Sequence, residues 1–334
     1  MKRNFVTTAL VLALGMLLVS SPSEAGIEWG GTNAIKGTKK VNQSGMQFLK
    51  ISQSARAAGM GDAFTAVSND INSIYFNGAG LTQIKTLGYQ INYTKWLADT
   101  KVYSAAVAWN TGSSRGEVIG LSVMTFKPED MEETTIYQPD GTGQNIRYSD
   151  TAVGLLYAVK FTDKFSFSGK VSFVQEKLHT KSTSAVTFDL GSYFYTGFKS
   201  LRIAMALKNF GPDKQADAIQ YFMPLYYNMA IAGEVFGEKG QPFYVTIDAE
   251  SAFAVDYEQR YHFGAEAWMK DILALRAGYK HNYDLEQYSV GVGVKGTFKG
   301  SRTLTLDLAY SPLKKESGVK LFDPFLRVSV GGAF

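Results

Sequence analysis

The sequence predicts an all-β protein, a transmembrane antiparallel β-barrel of about 14 strands with an N-terminal plug of short helical turns in its lumen. Three observations lead there. The chain ends on a long two-faced strand, it repeats two-period stretches from Gly88 onward, and it opens on an export signal.

Side chains alternate between the two faces of a strand. In the final stretch, Leu326, Val328, Val330, Gly332 and Phe334 share one face, and Phe325, Arg327, Ser329, Gly331 and Ala333 the other. Terminal residues fray unless paired, so such a strand calls for a partner. Either it closes a soluble sandwich or it returns to the first strand of a barrel. A terminal aromatic, here Phe334, resembles the signal read by the bacterial barrel-insertion machinery.

Composition narrows the class. The 334 residues include no cysteine, so a disulfide framework and a Cys-based metal site are both excluded. The formal charge of +4 is dispersed rather than clustered, which gives nucleic-acid binding no support. With 19 Tyr, 22 Phe and 33 Gly against 8 Pro, the balance fits a large β-protein. The mean hydropathy of -0.09 suits a barrel, whose strands show only half their residues to lipid.

In chain order, residues 1–25 read as a signal peptide: Lys2 and Arg3, an apolar run from Phe5 to Val19, and small residues at Ser23 and Ala25. Residues 26–45 form a polar arm. Residues 46–86 form the plug or hatch segment, rich in small residues from Ser54 to Val67. There Ser68-Asn69-Asp70 could cap a helical turn. Its alternative reading is an ordinary helical cap on a β-domain. Residues 87–334 form the barrel, with strands near 88–97, 101–110, 116–126, 149–160, 165–176, 185–196, 201–210, 224–236, 243–254, 260–268, 272–280, 287–298, 303–311 and 321–334. Such lengths match what a tilted strand needs to cross hydrocarbon.

Local alternation is the same in a sandwich and a membrane barrel. The strand count, the export signal and the terminal aromatic favour the barrel. So do aromatics near strand ends (Tyr93, Trp96, Trp109, Trp268, Tyr279 and Tyr310), read as an interfacial girdle. Closure also leaves no unpaired edge in lipid. Fourteen strands enclose more space than side chains fill, and Ser54–Leu81 is the spare segment suited to occupy it.

Ala55-Arg56-Ala57-Ala58-Gly59-Met60-Gly61-Asp62-Ala63, then Asp70, Asn77 and Ala79-Gly80-Leu81, resemble the PorV/PorQ family, a branch of the FadL-like outer-membrane barrels. Tyr93–Asp99, Asp130–Thr135, Phe188–Gly191, Leu207–Pro212, Phe263–Glu266 and Leu275–Tyr279 add matches in the same order. The family usually has proline where this chain has Gly78, which predicts a looser turn. The resemblance implies a fourteen-stranded barrel with its N-terminal segment in the lumen, in the outer membrane.

The plug residues singled out are Arg56, Gly59, Met60, Gly61, Asp62, Asp70, Asn77 and Gly80. The candidates for the lumen lining are Arg202, Asp248, Glu250, Glu266, Arg276, Lys295, Asp307 and Arg327. Asp248 and Glu250 share a strand face at a spacing compatible with acid–base chemistry, but the same face carries charges of both signs, as a polar lining does. The three histidines have no metal-ligand spacing, and no phosphate loop or nucleophile elbow occurs. No enzyme activity and no cofactor is expected. Two functions stay open: a type IX-like handler of exported client proteins working with a secretion channel, or a FadL-like importer of a hydrophobic small ligand. The importer reading predicts an apolar pocket between plug and wall. The client reading predicts a broad surface, with the long polar loop 127–148 as part of it.

Overall fold

The computed structural model describes residues 44–129, 131–179, 181–216, 219–298, 302–314 and 322–334. The expected signal peptide and all but the last two residues of the expected arm lie outside them.

Fourteen antiparallel strands close into one barrel. They are β1 Leu87–Lys95, β2 Lys101–Asn110, β3 Val118–Lys127, β4 Tyr148–Lys160, β5 Phe165–Leu178, β6 Lys181–Tyr195 and β7 Arg202–Phe210, then β8 Tyr226–Phe236, β9 Phe243–Ala254, β10 Arg260–Met269, β11 Leu273–His281, β12 Tyr288–Phe298, β13 Arg302–Ser311 and β14 Phe325–Ala333. Each pairs with its neighbours in the chain. β14 also returns to β1, with Val330 opposite Ile91, so the sheet has no free edge. The sandwich alternative is thereby removed.

The strands sit where the alternation places them, within a few residues. The largest differences are the β5–β6 hairpin, which runs on to Leu178 and Lys181 because backbone pairing continues past the apolar band, and the last strand, which begins only at Phe325. Two connections read as loop contain small hairpins, Met131–Glu132 with Asn145–Ile146 and Lys214–Ala216 with Ile219–Tyr221.

Apolar side chains such as Ile91, Leu121, Leu155, Val290, Leu306 and Val330 are exposed. Polar ones on the opposite face, such as Ser104, Glu266, Arg276, Asp307 and Arg327, are buried. This inverts the arrangement of a soluble protein and suits strands facing lipid outside and a filled lumen inside. Tyr93, Trp109, Tyr279 and Tyr310 lie on the outward parity. Trp96 and Trp268 do not belong to the girdle. Trp268 shares the inward parity of Glu266 and sits under Arg276, 5.7 Å away, while Trp96 stacks on Phe325 at 4.0 Å beneath Arg327.

One end of the barrel carries the long connections 128–147 and 211–225. The other carries short turns such as 161–164 and 270–272. In outer-membrane barrels the short turns face the periplasm. The segment before β1 runs between these ends. Gly45 donates to the Phe222 carbonyl, and Ser44, Gln47 and Lys50 converge on Asp256, all at the long-loop end. Ile84 accepts from the Asn110 side chain, 2.7 Å, at the short-turn end. Between them lie a 3-10 turn Gln47–Lys50, α1 Ala55–Gly59, α2 Ser73–Phe76 and a 3-10 turn Gly78–Gln83, nearly every residue buried.

Candidate functional site: the plugged lumen

The plug is held differently on its two sides. On the first side α1 packs against β11 to β14. Ser54 caps it, its hydroxyl accepting from the Ala57 amide, 3.3 Å. The helix ends at Gly59, opposite Gly291. A Cβ on Gly59 would lie 3.0 Å from the Gly291 Cα, and one on Gly278 would lie 2.0 Å from the Gly61 nitrogen. Plug backbone therefore touches wall backbone, which only residues lacking a side chain allow. Met60 is fully buried there, its carbonyl 2.6 Å from where a Gly264 Cβ would stand.

This contact is overlaid by ion pairs. Arg56 forks onto Glu266, with Nε and Nη2 at 2.8 and 2.6 Å from its two oxygens, and its Nη1 reaches Asp70 at 2.6 Å. Arg276 bridges Glu266 and Asp307, each at 2.7 Å. Lys280 joins Asp62 of the plug at 2.5 Å to Glu286 at 2.9 Å, and Arg327 completes the chain on Glu286 at 3.0 Å. Bidentate Arg–carboxylate pairs add direction as well as energy. Glu250 accepts from the Phe64 and Thr65 amides at 3.3 and 3.0 Å and from Asn228 at 2.6 Å. His262 completes the group, Nε2 2.8 Å from the Tyr283 hydroxyl. Asp248 is buried on the same face without a hydrogen-bond partner for either oxygen.

On the second side the turn Gly78–Gln83 packs against β4 to β6. Contacts of this turn are mostly neutral hydrogen bonds, and no ion pair joins it to the wall among the described residues. Asn77 accepts from the Ala79 amide at 3.2 Å and donates to the Ser192 and Thr65 carbonyls at 2.9 and 3.2 Å. Thr82 meets Ser166 at 3.0 Å, and the Tyr193 hydroxyl and Arg202 Nε both donate to the Ala66 carbonyl. The expectation of a loose turn at Gly78 is overturned. A Cβ there would lie 2.4 Å from Leu156 Cδ1 and 2.8 Å from Ser168 Oγ, so glycine serves tight packing and Asn77 supplies the turn's rigidity. Gly80 likewise abuts Ser68: a Cβ there would lie 2.5 Å from the Ser68 carbonyl oxygen.

The remaining predicted residues lie at the ends. Arg202 pairs with Glu234 at 2.9 Å. Lys295 pairs with Asp271 at 2.6 Å at the short-turn rim, away from the plug. Phe334 donates its amide to Leu87, and its ring lies 5.9 Å from Tyr89. Asp70 does not cap α2. It accepts from the Asn72 amide at 2.9 Å and holds Arg56. Sequence reading passes over Asp256, Glu286 and the wall glycines Gly264, Gly278 and Gly291. The glycines share the inward parity with Arg276 and Lys280, and that parity was the one available signal.

At the long-loop end Asp256 gathers Ser44, Gln47 and Lys50 on one oxygen. Burial pushes its carboxyl up, but the hydrogen bonds from Lys50 and Ser44 outweigh that and hold it below its ordinary value. Burial lowers the Lys50 ammonium, against the pull of Asp256.

A cavity remains between the plug and β3 to β7. Leu49, Gln53 and Tyr75 close it from the plug, and Ser122, Lys170 and Lys208 lie on the wall side. About 40 Å³ of it is open to the centre of a water, room for roughly three waters at 10–15 Å³ each. No cluster of metal-ligating side chains occurs among the described residues.

A closed sheet with an apolar exterior, a charged lumen and an N-terminal segment filling it defines an integral outer-membrane β-barrel with an internal plug. Solved structures share the architecture. The CymD monoaromatic hydrocarbon channel superposes with a TM-score of 0.57 at 13% identity, over 85% of this chain and 98% of that one. A Pseudomonas aeruginosa FadL homologue gives a TM-score of 0.52 at 10% identity, over 85% and 98%. The comparison with curated proteins found no match. The family model described as type IX secretion system protein PorV matches residues 34–233, and the chain belongs to that family.

Proposed function

We propose that this protein is a non-enzymatic outer-membrane component of a protein-secretion route, receiving exported client proteins or docking a secretion channel through its long-loop end. The family match carries the reading. The surface supports it: in the connection 128–147, Ile136 and Tyr137 are 96% and 94% exposed, on a hairpin that also bears Glu132, Glu133 and Asp140. Exposed apolar groups rimmed by charge mark interaction sites. Lipid and the barrel-insertion machinery are the other partners, the latter reading Phe334.

The FadL-like importer is the alternative, favoured by the shared barrel with CymD and the FadL homologue. The cavity's small size weighs against a large hydrophobic ligand, whose pockets ordinarily measure about 300–1,000 Å³. Replacing Ile136 and Tyr137 by serine tests the two readings. Client proteins should accumulate in the periplasm while the barrel remains in the outer membrane. Normal surface delivery combined with impaired uptake of hydrophobic compounds would instead establish the importer.

A further inference from the structure

The cavity beside β3 to β7 has an uncancelled charge. Lys170 faces Asp189 at 3.6 Å, and Asp189 also accepts the Asn209 amide at 2.7 Å, so that pair is neutral. Lys208 is different. Its ammonium lies 5.4 Å from the Phe76 ring, and among the described residues no carboxylate stands within ion-pair distance and no acceptor within hydrogen-bond distance. A cation over an aromatic face is partly stabilised, yet a half-buried ammonium without a paired counter-charge is still unfavourable.

The rest of the lining mixes apolar side chains with several hydroxyl donors. Tyr75 is 6% exposed and its hydroxyl has no hydrogen-bond partner. The Ser172 and Thr187 hydroxyls also line the space. Gly154 makes the room, since a Cβ there would fall 2.4 Å from Lys170 Cε and 2.7 Å from Ser172 Oγ. The cavity thus offers a positive charge, several O–H donors and space for about three waters. Its one carboxylate, Asp189, is taken up by Lys170 and the Asn209 amide, which leaves one positive charge over.

We infer that this cavity binds a chloride-sized monovalent anion, with Lys208 as its principal ligand. The bound ion would neutralise the lumen's softly held side and fasten β7 and the Tyr75–Phe76 turn together. The inference is independent of how the surface loops are used.

Crystals of the full mature protein grown from bromide in place of chloride test it directly. An anomalous peak is expected in the cavity within ion-pair reach of Lys208 Nζ, and it should vanish in Lys208→Met. In solution, at matched ionic strength, the wild type should melt higher in chloride than in gluconate, an anion too large for the cavity. Lys208→Met should abolish that difference. A wild-type bromide map with only water in the cavity overturns the inference, even if the variant fails to assemble. So does a chloride dependence that survives in an assembled Lys208→Met.

Discussion

The two walls that hold the plug reach the same burial by different physics. Against β10 to β14 the plug touches backbone to backbone and is fixed by a chain of charges running from Asp70 through Arg56, Glu266 and Arg276 to Asp307. Against β4 to β6 it is fixed by neutral hydrogen bonds from Asn77 and Thr82 and one that Gln83 accepts from Tyr195, with a cavity alongside. Charged contacts are strong only while every member keeps its partner. Neutral ones lose less when broken. The charged wall is therefore the plug's anchor, and the neutral wall is the side on which rearrangement costs less.

The largest effect is expected from Gly278→Val, because even a Cβ there would sit 2.0 Å from the Gly61 nitrogen. The plug should lose its seat on the charged wall, raising single-channel conductance or abolishing the heat-modifiable folded band. Gly169→Val, whose Cβ meets nothing within 4 Å, should do neither. Equal behaviour of the two variants would show that the close approach of Gly61 and Gly278 is not what seats the plug.

Next comes Arg56→Ala. It strips Glu266 of one cation and leaves Asp70 without its ion pair, an expected loss of about 3–5 kcal/mol in denaturant unfolding of the detergent-solubilised protein. Asn77→Ala, on the neutral wall, should cost about 1–3 kcal/mol. If Asn77→Ala costs as much as Arg56→Ala, the contrast between the walls fails.

The smallest effect concerns the long-loop end. The Asp256 carboxyl is held below its ordinary value, so its contribution is complete above the unfolded pKa of about 3.9 and fades as pH falls through the lower folded value. Asp256→Asn should remove that acid-side dependence, read as hydrogen exchange of the Gly45 and Leu49 amides across the range below about pH 5. An unchanged profile would mean that Asp256 does not hold this end of the plug.

The barrel was legible because lipid and lumen impose opposite polarity on alternate residues, so each strand announces itself locally. Phe325 to Phe334 alone shows the pattern. Trp96 and Trp268 share the inward parity of Thr94 and Glu266, so an aromatic near a strand end is not by itself a girdle residue. The plug's location followed from its small residues, but its anchoring did not. Arg56 and Glu266 are 210 positions apart, and nothing local pairs them. Gly78 misled for a related reason, since glycine reads the same whether it loosens a turn or admits a neighbour such as Leu156.

Because β14 seals against β1 around a segment that runs from one mouth to the other, the order of assembly is constrained. Threading such a strap through a finished ring would mean carrying Arg56 and the Gly59–Gly61 turn past a wall that touches them backbone to backbone. Closing the seam last, with the strap already laid along the nascent wall, avoids that passage. The strap would then act as a mandrel that shapes the cylinder as it forms.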